Sequence, residues 1–121
     1  MKLELPWPPT ANTYYRRRRG RKGMFISAKG EQFAAAVAKE VSRRRARRKP
    51  LAGRLGVRIL ACPPDARARD IDNLLKPTLD ALTKAGVWED DSQIDDLQIV
   101  RGEITRPRGM CVVVVREGRE V

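Results

Sequence analysis

Two hydrophobic periods run through this chain, and the switches between them mark its elements. Leu3 and Leu5 alternate with Lys2 and Glu4 until prolines intervene, which predicts a short strand over Lys2 to Leu5. The polar segment "TANTYYRRRRGRKG" reads as a loop or hairpin arm, and Met24 to Ile26 as a second short strand. From about Ala28 to Arg48 the period lengthens. Phe33, Val37 and Val41 recur at spacing four with alanines beside them, giving one apolar helical face. Ser27 is placed to cap that helix, although Gly30 leaves the capping box incomplete, and Pro50 stops it. Leu55 to Cys62 alternates again and is rich in branched residues, which predicts a strand. Leu74, Leu79 and Leu82 form a second helical stripe that Gly86 is placed to end. Pro77 is tolerated only in a first turn, so the regular helix starts near Leu74 or Asp72 to Lys76 form a distorted turn. Leu97 to Ile104 and Met110 to Arg116 read as strands around a "TRPRG" turn, and are expected to pair as a hairpin. The order β-β-α-β-α-β-β predicts an α+β fold, a small single domain over residues 1–121 with a mixed sheet and two main helices.

Composition narrows the chemistry. A chain of 121 residues can bury one core, and 41% hydrophobic content is that of a globular chain. No apolar run approaches a membrane span and the N-terminus has no signal-like apolar segment, so the expectation is a soluble cytoplasmic protein with no membrane partner. There is no GxGxxG and no Walker A sequence, hence no nucleotide cofactor is expected. Cys62 and Cys111 lie in or beside apolar runs and are expected to be buried reduced thiols. The chain has no histidine. That removes Ser-His and Cys-His triads and every HExxH metal site. Acid–base or metal chemistry must run on carboxylates, lysines, tyrosines or water.

Charge then divides the chain. Residues 1–58 hold 17 Lys/Arg against 3 Asp/Glu, a net of +14, while residues 59–121 hold 9 against 12, a net of −3. A basic half of this size favours a polyanion, most simply nucleic acid, although basic domains also bind anionic lipid or acidic proteins. Six basic residues fall between Arg16 and Lys22.

The acid is concentrated in "RARDIDNLLKPTLDALTKAGVWEDDSQIDDL". Asp70 and Asp72, two apart, point to one side of an extended backbone. Asp90 and Asp91 follow Trp88, about three helical turns later. If the fold brings these groups together, their repulsion calls for a cation, and oxygen-only ligands select Mg²⁺ or Mn²⁺. Lys76 beside such a site would neutralise phosphate charge. The plainer alternatives stay open on spacing alone. Asp72 or Asn73 can cap the second helix, Asp90, Asp91, Asp95 and Asp96 can be polar loop residues, and Arg67 and Arg69 can pair with acids on the surface.

Taken together, "PPTANTYYRRRRGRKGMFISAKG", with its Asn-x-Tyr-Tyr-Arg run, and the D-x-D-N-x-x-K, D-A-L and G-V-x-x-D-D-x-Q elements of residues 70–93 resemble the RusA family of Holliday-junction resolvases, metal-dependent endonucleases often carried by phages and prophages. The resemblance covers nearly the whole chain. It implies that Asp70, Asp72 and Asp91 are catalytic and metal-binding, that Lys76 is the essential basic residue, and that Asp90 is a secondary acid of the metal site. It implies Mg²⁺, with Mn²⁺ a possible substitute, and a homodimer that nicks two strands of a four-way junction symmetrically. The expected DNA-binding residues are Asn12, Tyr14, Tyr15, Arg16, Arg17, Arg18, Arg19, Arg21, Lys22, Lys29, Arg67 and Arg69. Trp7, Tyr14 or Tyr15 can stack on unpaired bases or pack in the core. The competing expectation is a non-catalytic basic nucleic-acid-binding module of phage or prophage origin, which needs no acidic cluster.

Overall fold

The computed structural model describes residues 1–17, 24–44 and 49–118, with only the backbone described at Arg17 and Met24. A four-stranded sheet is covered on one face by two helices. Its strands are β1 (Lys2–Pro6), β4 (Leu55–Cys62), β5 (Ile94–Arg101) and β6 (Met110–Glu117), in the order β1-β6-β4-β5. The helices are α2 (Ala28–Arg44) and α3 (Leu75–Lys84). A one-turn helix α1 (Ala11–Tyr14) and the antiparallel pair β2 (Tyr15–Arg17) and β3 (Met24–Ile26) precede α2. The described part of the arm is therefore a helical turn followed by an antiparallel strand pair. Thr10 caps that turn by accepting from the Thr13 N–H, a local bond that a polarity pattern does not reveal.

The core forms where the two periods meet. Leu3, Leu5, Val57, Ile59, Val113 and Val115 point from the strands toward Phe33, Val37 and Val41 of α2 and Leu79 and Leu82 of α3. Ser27 caps α2, accepting from the Gly30 N–H at 3.1 Å. Gly30 has a packing role as well. A Cβ there would sit 2.6 Å from Ile26 Cγ2 and 2.8 Å from the Tyr14 carbonyl oxygen, so only glycine lets α2 meet the end of α1 this closely. Gly30→Ala is expected to cost about 1–3 kcal/mol through this overpacking, read as a lower denaturant midpoint at unchanged slope.

Two sequence expectations are corrected. β5 begins at Ile94 and ends at Arg101, three residues before the predicted strand at each end. It also makes no hairpin with β6. β4 lies between them, parallel to β5 and antiparallel to β6. The connection from Gly102 to Gly109 packs against the end of β4, with Gly102 N–H bonded to the Ala61 carbonyl at 2.7 Å and Thr105 N–H to the Pro63 carbonyl at 2.7 Å. Those bonds carry the chain past β4 before it can turn back on β5. The β4–α3–β5 crossover is what sets the acids at the helix ends. α3 starts after a 3₁₀ turn over Ile71–Leu74, with Pro77 in its first turn, and ends at Gly86, whose φ of 81° needs glycine.

Candidate active site

The loop after β4 leads to Asp70. The 3₁₀ turn carries Asp72, α3 carries Lys76 and Asp80, and a second 3₁₀ turn over Asp91–Gln93 carries Asp91. Asp72, Lys76 and Asp80 fall at spacing four, along one stripe of the turn and helix. Lys76 Nζ pairs with Asp80 at 3.4 Å and lies 5.9 Å from the centre of the Tyr15 ring. Asp80 is held above the ordinary carboxylate range, first by partial burial and then by the charge of Asp91. Asp91 therefore lies beside the middle of α3, close to the Lys76–Asp80 pair.

Partners separate the chain's eight aspartates into two groups. Asp65 pairs with Arg69, Asp80 with Lys76, Asp95 with Arg54 and Asp96 with Arg116, and Asp90 accepts from the Ser92 N–H. Among the described residues, the side chains of Asp70, Asp72 and Asp91 make no hydrogen bond and no ion pair. Asp70 and Asp72 are exposed and Asp91 half-buried. Three bare carboxylates with no nitrogen or sulfur donor suit a hard divalent cation. Within one chain they do not form a closed cage, since no three Cys, Asp or Glu among the described residues are grouped as a metal site.

The surroundings hold these acids in place. Asp90 is the cap of the second 3₁₀ turn. The Ser92 side chain and then the Ser92 N–H, the latter donating to its carboxylate at 3.0 Å, lower its pKa, and Gln93 Oε1 accepts from the Glu89 and Asp90 N–H groups at 2.9 and 3.0 Å. Gln93 Nε2 donates to the carbonyls of Leu51 and Gly53 at 3.0 and 2.9 Å. Gln93 thus ties the Asp91 turn to the segment before β4. On the other side, a cleft of about 680 Å³ is lined by Arg67, Arg69, Asp70, Arg101, Gly102 and Ile104. Arg69 pairs with Asp65 at 2.8 Å and lies 5.7 Å from the centre of the Trp7 ring. Arg101 donates to the Arg69 carbonyl at 2.8 Å, one residue before Asp70.

The Arg69 guanidinium and the Arg67 N–H hold Asp65 down to about 2. A depressed carboxylate stabilises the fold above its unfolded value of 3.8 and loses that contribution as pH falls toward 2. The difference in melting temperature between wild type and Asp65→Asn is therefore expected to be constant from pH 7 to pH 5. It should shrink below about pH 4. Thermal melts across that range check it.

The expected DNA-binding residues fall in different places. Asn12, Arg16, Lys29 and Arg67 are exposed, Arg69 is half-buried, and Tyr15 is half-buried under Lys76. Tyr14 is a core residue, edge-on to Tyr15 and Phe33 with ring centres 4.7 and 6.4 Å away. Arg18, Arg19, Arg21, Lys22 and the side chain of Arg17 lie outside the described residues.

The family model described as endodeoxyribonuclease RusA matches residues 6–114. The chain belongs to the RusA family. It is 39% identical over 118 residues to the crossover junction endodeoxyribonuclease RusA of Escherichia coli K12, covering 98% of this chain and 96% of that one. It is 40% identical over the same length to the enzyme of that name from enterobacteria phage 82. The corresponding protein of phage HK97 is 39% identical over 113 residues, covering 93% of this chain and 91% of that one. The RusA match runs from the end of β1 into β6 and so includes every acid of residues 70–96. Asp80, Gln93 and Arg101 had no site role in the sequence reading. Asp80 was findable from its spacing of four from Lys76. Gln93 stands in the motif that carried the resemblance, but its bonds need the fold. Arg101 gave no sequence signal, because its contact spans 32 residues.

Proposed function

We propose that this chain is a divalent-cation-dependent endonuclease that resolves four-way DNA junctions by paired symmetric nicks, acting as a homodimer in the cytoplasm. Residues 1–121 are proposed to form one endonuclease unit, without a nucleotide cofactor. The observation that carries the reading is the set of three aspartates without a partner among the described residues, Asp70, Asp72 and Asp91, in a chain of the RusA family with a basic N-terminal half. The names of the relatives support the substrate class.

Asp70, Asp72 and Asp91 would hold the ion, Mg²⁺ with Mn²⁺ as a substitute. When bound, it supplies water activation and neutralises charge that develops at phosphorus. The chain's own groups do the rest. Asp90, as a cap, and Gln93, as a tie, fix the backbone that presents Asp91. Lys76, held by Asp80 and the Tyr15 ring, presents an ammonium to the phosphate. Arg67 and Arg69 on the cleft wall, with Asn12, Arg16 and Lys29, position the strand through its backbone. Tyr14 acts from the core, supporting the arm.

A synthetic four-way junction with end-labelled strands tests the reading. Paired nicks at symmetric positions are expected in Mg²⁺ and none in EDTA. Cleavage in EDTA, or binding without cleavage in either Mg²⁺ or Mn²⁺, would overturn it.

A further inference from the structure

The sheet has two faces and the helices cover one. Pair register assigns the other face. Lys2, Val114, Arg58 and Gln98 form one row across the four strands, and Glu4, Val112, Leu60 and Val100 form the next. None of these residues belongs to the hydrophobic core. Leu60 and Val114, at 40% and 41% exposed, are among the most exposed large apolar residues described, and Val112 and Val100 are half-buried beside them. An apolar strip across neighbouring strands, rimmed by charge, is an interaction surface.

Charge chooses the occupant. Lys2, Arg58 and Arg116 are offset by Glu4 and Asp96, with Arg116 and Asp96 already paired at 2.6 Å. This face is close to neutral in a chain of net charge +11. A polyanion gains little here compared with the basic half, whereas two copies of the chain can approach without repulsion, each offering cations to the other's Glu4 and Asp96. Size agrees. Three strands of eight residues and one of five, about 4.8 Å apart and rising about 3.3 Å per residue, give a plan of about 460 Å², to which side-chain relief adds. A standard interface takes about 800 Å² from each partner.

We infer that the open face of the sheet is the surface through which two copies of this chain pack, with Leu60, Val112, Val114 and Val100 at its centre. This rests on the homodimer proposed above and names its contact. A two-fold contact of this kind is isologous, so the same strip meets itself.

Sedimentation velocity on the full chain tests it. Wild type is expected at twice the 13.7 kDa chain mass. Leu60→Asp and Val114→Asp are expected at the single-chain mass, with unchanged circular dichroism because neither side chain is in the core. Should an aspartate variant fail to fold, Leu60→Cys with a short bismaleimide supplies the second reading. A linked dimer is expected there and not in wild type, whose two thiols are buried. Aspartate variants that stay dimeric, or Leu60→Cys that does not link, overturn this face and leave paired nicking untouched. A monomeric wild type overturns both. A monomeric wild type whose junction affinity falls on Leu60→Asp assigns the face to DNA instead. A dimer through this face that cuts junctions without pairing its nicks overturns the functional reading and keeps the face.

Discussion

Asp70→Asn and Asp72→Asn are expected to bind a four-way junction at least as tightly as wild type and to cut it at least about 1000-fold more slowly, a barrier increase of about 4 kcal/mol. The asymmetry follows from where these residues sit. Neither carboxylate supports the fold, since neither side chain makes a hydrogen bond or ion pair among the described residues. Removing one negative charge near a polyanion weakens repulsion, so affinity should rise or hold. Only the capacity to hold a cation is lost, and with it the charge neutralisation the reaction needs. Asp90→Asn is the internal comparison. Asparagine caps a turn about as well as aspartate, so if Asp90 serves only as the cap of the Asp91 turn its loss should be slight. A loss as large as that of Asp70→Asn would make Asp90 a ligand. Single-turnover cleavage and anisotropy binding on the same junction separate these outcomes. Wild-type cleavage by Asp70→Asn would remove the catalytic assignment.

Local chemistry made much of this legible. The period of four through Phe33, Val37 and Val41 located α2, and the Leu55–Cys62 alternation located β4 to the residue. Pro77 and Gly86 marked the two ends of α3 because each restricts the backbone in one way. What stayed hidden is long-range. β5 and β6 read as a hairpin because they flank a real turn. Their separation depends on bonds from Gly102 and Thr105 to residues 61 and 63, which no local window contains. The acids followed the same division. Their spacing was visible, but Asp90 as a cap, Asp80 beside Asp91, and the lack of a partner for Asp70, Asp72 and Asp91 among the described residues are facts about partners. A sequence lists candidates for pairing and leaves the pairing to the fold.

Junction affinity, measured without divalent cation, is expected to fall by about 10³ to 10⁵ between 50 and 200 mM salt, the loss that goes with about six to ten neutralised phosphates. The 17 basic residues of the N-terminal half, set against only 3 acids there, are more than enough to supply that number even with Arg43, Arg44 and Arg54 already paired. Individual arginines should differ by how free they are. Arg67 is exposed, and its described bond uses the backbone N–H rather than the guanidinium, so Arg67→Ala should reduce the magnitude of the log–log slope by about one and leave the melting temperature alone. Arg69 is committed to Asp65 and stacked against Trp7, so Arg69→Ala should lower stability as well and loosen the loop that presents Asp70. Leu60→Asp, on the near-neutral sheet face, should leave the slope per chain unchanged. A slope corresponding to fewer than about three phosphates in wild type would mean that the basic half does not hold the DNA backbone, whatever the acids do.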